Sequence, residues 1–207
     1  MKILAYPLTI LYFLFFGLTL IIFHPIQWFC FNVFGYKAHK ISVDCLQFFL
    51  LRCLNLLGTR FTFNNSFDFS KDKPLIIVSN HQSMYDISPI MWYMRKHHVK
   101  FVSKKELGKG IPSVSYNLRH GGSVLIDRKN PRKALPDMMK FGEYIEKTNR
   151  AAVIFPEGTR SKDGAPKPFK TKGLEFTVHK PIELATFTNK AELIEKVEKT
   201  IIDAIEL

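Results

Sequence analysis

Residues 74–95 read PLIIVSNHQSMYDISPIMWYMR, and this stretch holds a strand, a loop and a helix in succession. Pro74–Ser79 (PLIIVS) is a short apolar run of strand length. From Ser83 to Arg95 the apolar side chains recur at helical spacing, and Pro89 breaks the pattern. The polar residues between them, Asn80, His81 and Gln82, fall where a strand hands over to a helix. That handover is where α/β sheets present their chemistry.

The same alternation continues on the C-terminal side. Val99–Ser103 and Ser123–Ile126 read as strands. Asn130–Asn149 opens with an Asn-Pro start signal and runs as a helix. Ala151–Phe155 (AAVIF) is another buried strand, and Lys190–Glu206 is an amphipathic helix rich in Glu and Lys. Strands alternating with helices predict an α/β domain with a mainly parallel central sheet flanked by helices. A chain of 207 residues supports one such core.

On the N-terminal side the composition changes. Between Lys2 and Lys37 there is no Lys, Arg, Asp or Glu, and Leu4–Phe23 approaches the roughly 20 apolar residues that cross a bilayer as a helix. No small-residue cleavage site follows, so the segment does not read as a secretory signal. Apolar character resumes in PIQWFCFNVFGY, where Trp28 and Tyr36 are placed for the headgroup level. Two arrangements fit: one spanning helix, or a helix pair dipping into one leaflet. Ile41–Leu57 reads either as an amphipathic helix at the membrane surface or as a helix capping the core. The expected division is a membrane anchor over 1–40 and a catalytic domain over 41–207.

The formal net charge is +12, which suits an anionic partner. Basic residues Lys37 and Lys40 beside the apolar segment place the domain on the cytoplasmic side of a membrane. Nucleic-acid binding is disfavoured, because the Lys and Arg are spread over loops and sheet ends rather than along one helix or ribbon. Cys30, Cys45 and Cys53 match neither a metal spacing nor a disulfide framework, and read as reduced thiols.

Several clusters carry polar chemistry. In Asn80–Asp86 (NHQSMYD), His81 is the natural general base near neutral pH. Asp86, five residues on, can turn back to bond the imidazole, or can simply cap the helix. Phe155–Ser161 (FPEGTRS) gathers amide, hydroxyl and guanidinium donors around a glycine, in a loop that suits a phosphate monoester. SKKEL at 103–107 and GGSVLIDR at 121–128 place basic residues at strand ends. Each cluster alone also reads as ordinary turn or surface chemistry.

Taken in order, NHQSMYD, SKKEL, GGSVLIDR and FPEGTRS resemble the glycerolipid acyltransferase family, over about Pro74 to Gly173. The resemblance implies that His81 is the catalytic base and Asp86 its partner. It further implies that Glu157, Gly158, Thr159 and Arg160 form the acceptor loop, with Lys104 and Arg128 helping to hold a phosphate (Lys105 is an adjacent substitute for Lys104). The implied reaction moves a fatty acyl group from an acyl thioester, acyl-CoA or acyl carrier protein, onto the free hydroxyl of 1-acyl-glycerol 3-phosphate (lysophosphatidic acid). It needs no metal or cofactor. Its partners are membrane lipids.

The sequence departs from the family's pattern after Gly173, where the chain runs directly into Phe176–Pro181, a stretch like a late strand. The domain is therefore expected to be shortened there, with sheet edges and part of the acyl pocket affected. Two other readings remain open: transfer to another lysolipid or to glycerol 3-phosphate, and a catalytically impaired, membrane-bound lipid-binding protein.

Overall fold

A computed structural model of the chain describes residues 2–81, 83–155, 174–179, 182, 183, 187 and 189–205. Its first element is a long helix, α1 (Lys2–Leu56), interrupted at Gly35. There φ is 77° and ψ −166°, a conformation open essentially to glycine alone. The break folds α1 back on itself. Tyr12 meets Cys53 and Leu54, Leu20 meets Leu46 and Leu50, and the rings of Phe31 and His39 touch near the bend. These pairings define an antiparallel hairpin, so the apolar N-terminal segment is one limb of a helix pair. The helix passes through residues 40 and 41 without interruption, so Ile41–Leu57 belongs to the returning limb. That limb buries one face, including Val43, Leu46, Leu50 and Leu51, at the three- and four-residue steps of an amphipathic helix.

The remaining elements follow: β1 (Phe61–Asn65), β2 (Leu75–Val78), α2 (Ile87–Tyr93), β3 (Lys100–Lys104), α3 (Val114–His120), β4 (Val124–Ile126), α4 (Pro131–Thr148), β5 (Ala151–Ile154), β6 (Leu174–Val178) and α5 (Lys190–Ile205). Pro89 sits in the first turn of α2, where its missing N–H leaves no helical bond unmade. Asn130 caps α4, its side chain accepting from the Lys133 N–H at 3.2 Å, and Pro131 follows at the first helical position.

The main sheet runs β2-β5-β3-β4, with every pairing parallel. A strand covered on both faces reads as a continuous apolar run, and AAVI in β5 is the example. Ala151 and Val153 face a core with Ile90, Met94 and Phe101, whereas Ala152 faces Phe141 and Ile145 of α4. The α/β class with a parallel sheet flanked by helices is thus as expected. β1 and β6 form a separate parallel pair, and the strand expected after Gly173 is β6. Phe63 of β1 reaches back to stack on Tyr93 at the end of α2, with ring centroids 4.7 Å apart.

α3, which has no clear signal in the sequence, joins the hairpin to the sheet domain. Ser113, fully buried just ahead of it, donates its hydroxyl to Leu20 O at 2.6 Å, and its N–H bonds His24 Nδ1 at 3.1 Å. Asn32 Nδ2 donates to the Tyr116 hydroxyl at 3.1 Å. Tyr36 packs against the sheet domain: it stacks on His98, with the Arg150 guanidinium 4.3 Å above its ring. Trp28 is the exposed member of that expected pair.

Replacing Gly35 by valine is expected to cost about 1–3 kcal/mol, because a β-branched residue cannot adopt the bend without strain. Gly17→Ala, inside the first limb and facing open space, is expected to be neutral or mildly stabilising. Thermal unfolding in detergent micelles compares the two; equal effects would contradict a turn at Gly35.

Candidate active site

All four strands of the main sheet point the same way, so their C-terminal ends share one edge. Val78 of β2 pairs with Ile154 of β5, and Lys104 of β3 pairs with Ile126 of β4. Just beyond this line lie the residues singled out by motif. His81 is three residues past β2, Phe155 follows β5, Lys104 ends β3, and Arg128 is two past β4. Four segments distant in sequence therefore converge because the sheet is parallel.

His81 and Asp86 are in contact, with Nδ1 and Oδ2 3.0 Å apart. Asp86 is buried and ends the single helical turn, Met84–Asp86, that runs into α2. The same Oδ2 accepts the Ser83 N–H at 2.9 Å, while the Ser83 hydroxyl accepts the Tyr85 N–H at 3.2 Å. This is a reciprocal capping box. Both sequence readings of Asp86, as cap and as imidazole partner, are realised by one oxygen. With the carboxylate on Nδ1, the tautomer that keeps its proton there is favoured, and the ring is held in one orientation.

The imidazole also lies face to face with Phe155, with centroids 4.2 Å apart and planes 20° from parallel. Phe101 lies behind Phe155 at 6.2 Å. The ring is thus fixed at its edge by a carboxylate and on its face by the residue that opens the FPEGTRS loop. Sequence reasoning gave Phe155 no role, since an aromatic at a strand end carries no signal beyond its apolarity. Tyr85 was likewise missed: its ring meets the buried Tyr12 edge-on at 6.0 Å, tying the His-Asp loop to the hairpin.

Lys104 and Arg128 are exposed on the same edge. Beside Arg128, the Asp127 carboxylate accepts the Lys129 N–H at 3.0 Å, which shapes the turn after β4. The turn ahead of β4 needs its glycines. Gly122 has a φ of 89°, and a Cβ there would fall 2.2 Å from the Tyr144 hydroxyl. Glu157, Gly158, Thr159 and Arg160 lie outside the described residues; the start of their loop, Phe155, is the part that touches His81. Among the described residues no cluster of metal-ligating side chains is present.

A buried carboxylate holding an imidazole at a sheet's C-terminal edge is equipped to take a proton from a hydroxyl. Comparison with known proteins bears on what it serves. The family model described as Acyltransferase matches residues 60–187. The 1-acyl-sn-glycerol-3-phosphate acyltransferase of Helicobacter pylori (strain J99) is 37% identical over 147 residues, covering 68% of this chain and 56% of that protein. The alpha enzyme of the same name from Ovis aries is 27% identical over 143 residues, covering 69% and 49%. The chain thus spans about half the length of these curated relatives. The crystal structure of the 1-acyl-sn-glycerophosphate acyltransferase PlsC from Thermotoga maritima has the same fold, with a TM-score of 0.78 at 21% identity, covering 99% of this chain and 96% of that one. On the family match, which takes in the Asn80–Asp86 loop and the FPEGTRS motif, this chain belongs to the acyltransferase family.

Proposed function

We propose that the chain transfers a fatty acyl group from an acyl thioester to the free hydroxyl of 1-acyl-glycerol 3-phosphate, giving phosphatidic acid. The observation that carries this reading is the His81–Asp86 pair stacked against the first residue of the FPEGTRS loop. An alcohol is a weak nucleophile at neutral pH, and a base within about 2.6–3.2 Å of its proton makes it competent. His81 Nε2 takes the proton as the hydroxyl oxygen bonds the thioester carbonyl carbon. The imidazolium that forms is stabilised by Asp86. Collapse of the tetrahedral intermediate breaks the C–S bond, the thiol leaves with the proton returned by His81, and the new ester remains. The thioester is already activated, so no enzyme nucleophile enters the scheme.

Arg160, with Glu157, Gly158 and Thr159 in its loop and Lys104 and Arg128 from the neighbouring strand ends, is assigned to the acceptor's phosphate. A dianion held there positions the acceptor hydroxyl beside the imidazole, and positioning of this kind lowers a barrier by several kcal/mol. The acyl donor is a thioester of coenzyme A or of acyl carrier protein.

The hairpin supplies access to lipid. It contains a helix apolar enough to cross a bilayer, with a mean hydropathy of 2.1 in its best window. Yet it touches the sheet domain along its length, at Tyr12 through Tyr85, Leu20 through Ile111 and Val114, Asn32 through Tyr116, and Tyr36 through His98. The 24 residues from Tyr12 to Tyr36 extend about 36 Å. A limb held against a water-facing domain over that distance is suited to lying in one leaflet rather than crossing. Its outer face, with Phe13, Leu14, Ile21, Phe29 and Phe34 at least half exposed, is the surface assigned to the acyl chains. The basic residues Lys37 and Lys40 beside the apolar segment support a cytoplasmic side for the rest of the chain.

His81→Ala is expected to lower transfer to lysophosphatidic acid by about 10²-fold or more while leaving the fold and membrane binding intact. Activity near that of the unmodified chain would remove His81 as the base, and no transfer by the unmodified chain would favour a lipid-binding role. Arg160→Ala is expected to raise the KM for lysophosphatidic acid more than it lowers kcat; an unchanged acceptor KM would count against the phosphate assignment. For the anchor, a Phe13→Glu, Phe34→Glu double variant is expected to release the protein from phosphatidylcholine vesicles in a flotation assay, with unfolding behaviour preserved.

A further inference from the structure

Helix α4 turns an apolar stripe toward water close to the edge that holds His81. Its inner side, with Phe141 and Ile145, packs on Ala152 of β5. On the outer side Leu135 is 64% exposed and Met139 62%. Arg132, Leu135 and Met139 follow three- and four-residue steps, so they share one stripe of the helix. Lys133 adjoins that stripe and Lys129 precedes it in the turn from β4, and these cations are exposed as Arg132 is. An apolar pair rimmed by charge is a small surface, of the size that weak and transient protein contacts use.

The charge pattern runs against what the helix alone favours. The macrodipole favours acids in a first turn and disfavours cations there. α4 has Arg132 and Lys133 in its first turn and no acid. Its own acids fall elsewhere: Asp137 lines the groove beside β4, and Glu143 and Glu146 lie in the second half of the helix. The start of α4 is therefore cationic at a cost to the helix, and an anionic partner would offset that cost.

Position narrows the partner. Ile126, the last residue of β4, pairs with Lys104 at the C-terminal edge of the sheet, and α4 starts from that edge at Pro131. The hairpin lies on the other face of the sheet, where α1 meets α2 through Phe48 and Trp92 at 5.1 Å and α2 packs on Ala151 and Val153. A membrane against the hairpin's outer face is thus separated from α4 by the sheet. A nucleotide carrier offers phosphates to the cations but nothing to Leu135 and Met139. An acidic protein offers both carboxylates and apolar side chains.

We propose that this face of α4 docks an acidic carrier protein bearing the acyl thioester, its carboxylates meeting Lys129, Arg132 and Lys133 and its apolar side chains meeting Leu135 and Met139. The proposal rests on the acyl-transfer reading above and brings a protein-borne thioester to the edge where His81 lies. The rim cations steer the encounter, and the apolar pair slows release.

The full chain in phosphatidylcholine nanodiscs provides the test, with palmitoyl-acyl carrier protein and palmitoyl-CoA as alternative donors. Binding of fluorescently labelled acyl carrier protein without an acyl group is read separately, by anisotropy. Two double variants, Leu135→Ser with Met139→Ser and Arg132→Gln with Lys133→Gln, are each expected to raise the KM for the protein-borne donor roughly tenfold and to weaken carrier binding by a similar factor. The KM for palmitoyl-CoA is expected to stay within about twofold, and Lys147→Gln, at the far end of α4, to change neither donor's KM. No binding of the carrier by the unmodified chain overturns the proposal, as does binding unaffected by either double variant or an equal rise in KM for both donors. So does a loss of flotation with phosphatidylglycerol vesicles in place of carrier binding, which makes the face a membrane contact. Transfer from neither donor by the unmodified chain removes the acyl-transfer reading instead, and the anisotropy titration still decides whether α4 docks the carrier.

Discussion

One carboxylate oxygen organises the C-terminal edge of this protein's main sheet. Asp86 Oδ2 receives both the Ser83 N–H and the imidazole of His81, so the bond that starts the helical turn also aims the ring. Burial makes the arrangement firm, since a carboxylate shielded from water that lost either partner would lack compensation for its desolvation. The fold of this turn and the orientation of the imidazole therefore go together. The loop cannot take its cap without presenting the histidine.

The sheet turns that local device into a site. Parallel pairing brings β5 beside β2, so Phe155 emerges next to His81 although 74 positions separate them in sequence. The aromatic face then limits the ring to a plane already set at its edge. Phe155 is also the first residue of the FPEGTRS motif, so the residue stacked on the imidazole opens the segment proposed to bind the acceptor. Tyr85 extends the arrangement toward the hairpin through Tyr12, so the surface assigned to lipid and the catalytic loop share an aromatic contact.

The parts legible in the sequence are those whose physics is local. The His81–Asp86 spacing, the Asn130 cap and the AAVI run each declare themselves within a few residues. β1 is harder to read, because FTFNN alternates but ends in polar residues. α3 spans only Val114–His120 and starts from a Ser113 with a φ of 60°, held by contacts to Leu20 and His24 some 90 positions away. The reversal at Gly35 looks like any glycine in an apolar run until the two limbs are seen to pack. Tyr36 illustrates the same limit: an aromatic at the end of a greasy segment suggests a headgroup anchor, but the fold places His98 and Arg150 against it. Lys100 lies within the Val99–Ser103 run read as a strand, and only the assembled structure shows it buried near Arg150 and Lys40.

The account rests on an imidazole nitrogen meeting a lipid alcohol while the acceptor's phosphate is held at the neighbouring loop. A crystal structure of the chain with lysophosphatidic acid and no acyl donor examines this most directly. The account predicts the free hydroxyl oxygen about 2.6–3.2 Å from His81 Nε2, with the phosphate against the FPEGTRS loop. A bound acceptor whose hydroxyl lies farther from His81 than one bridging water can reach would contradict it.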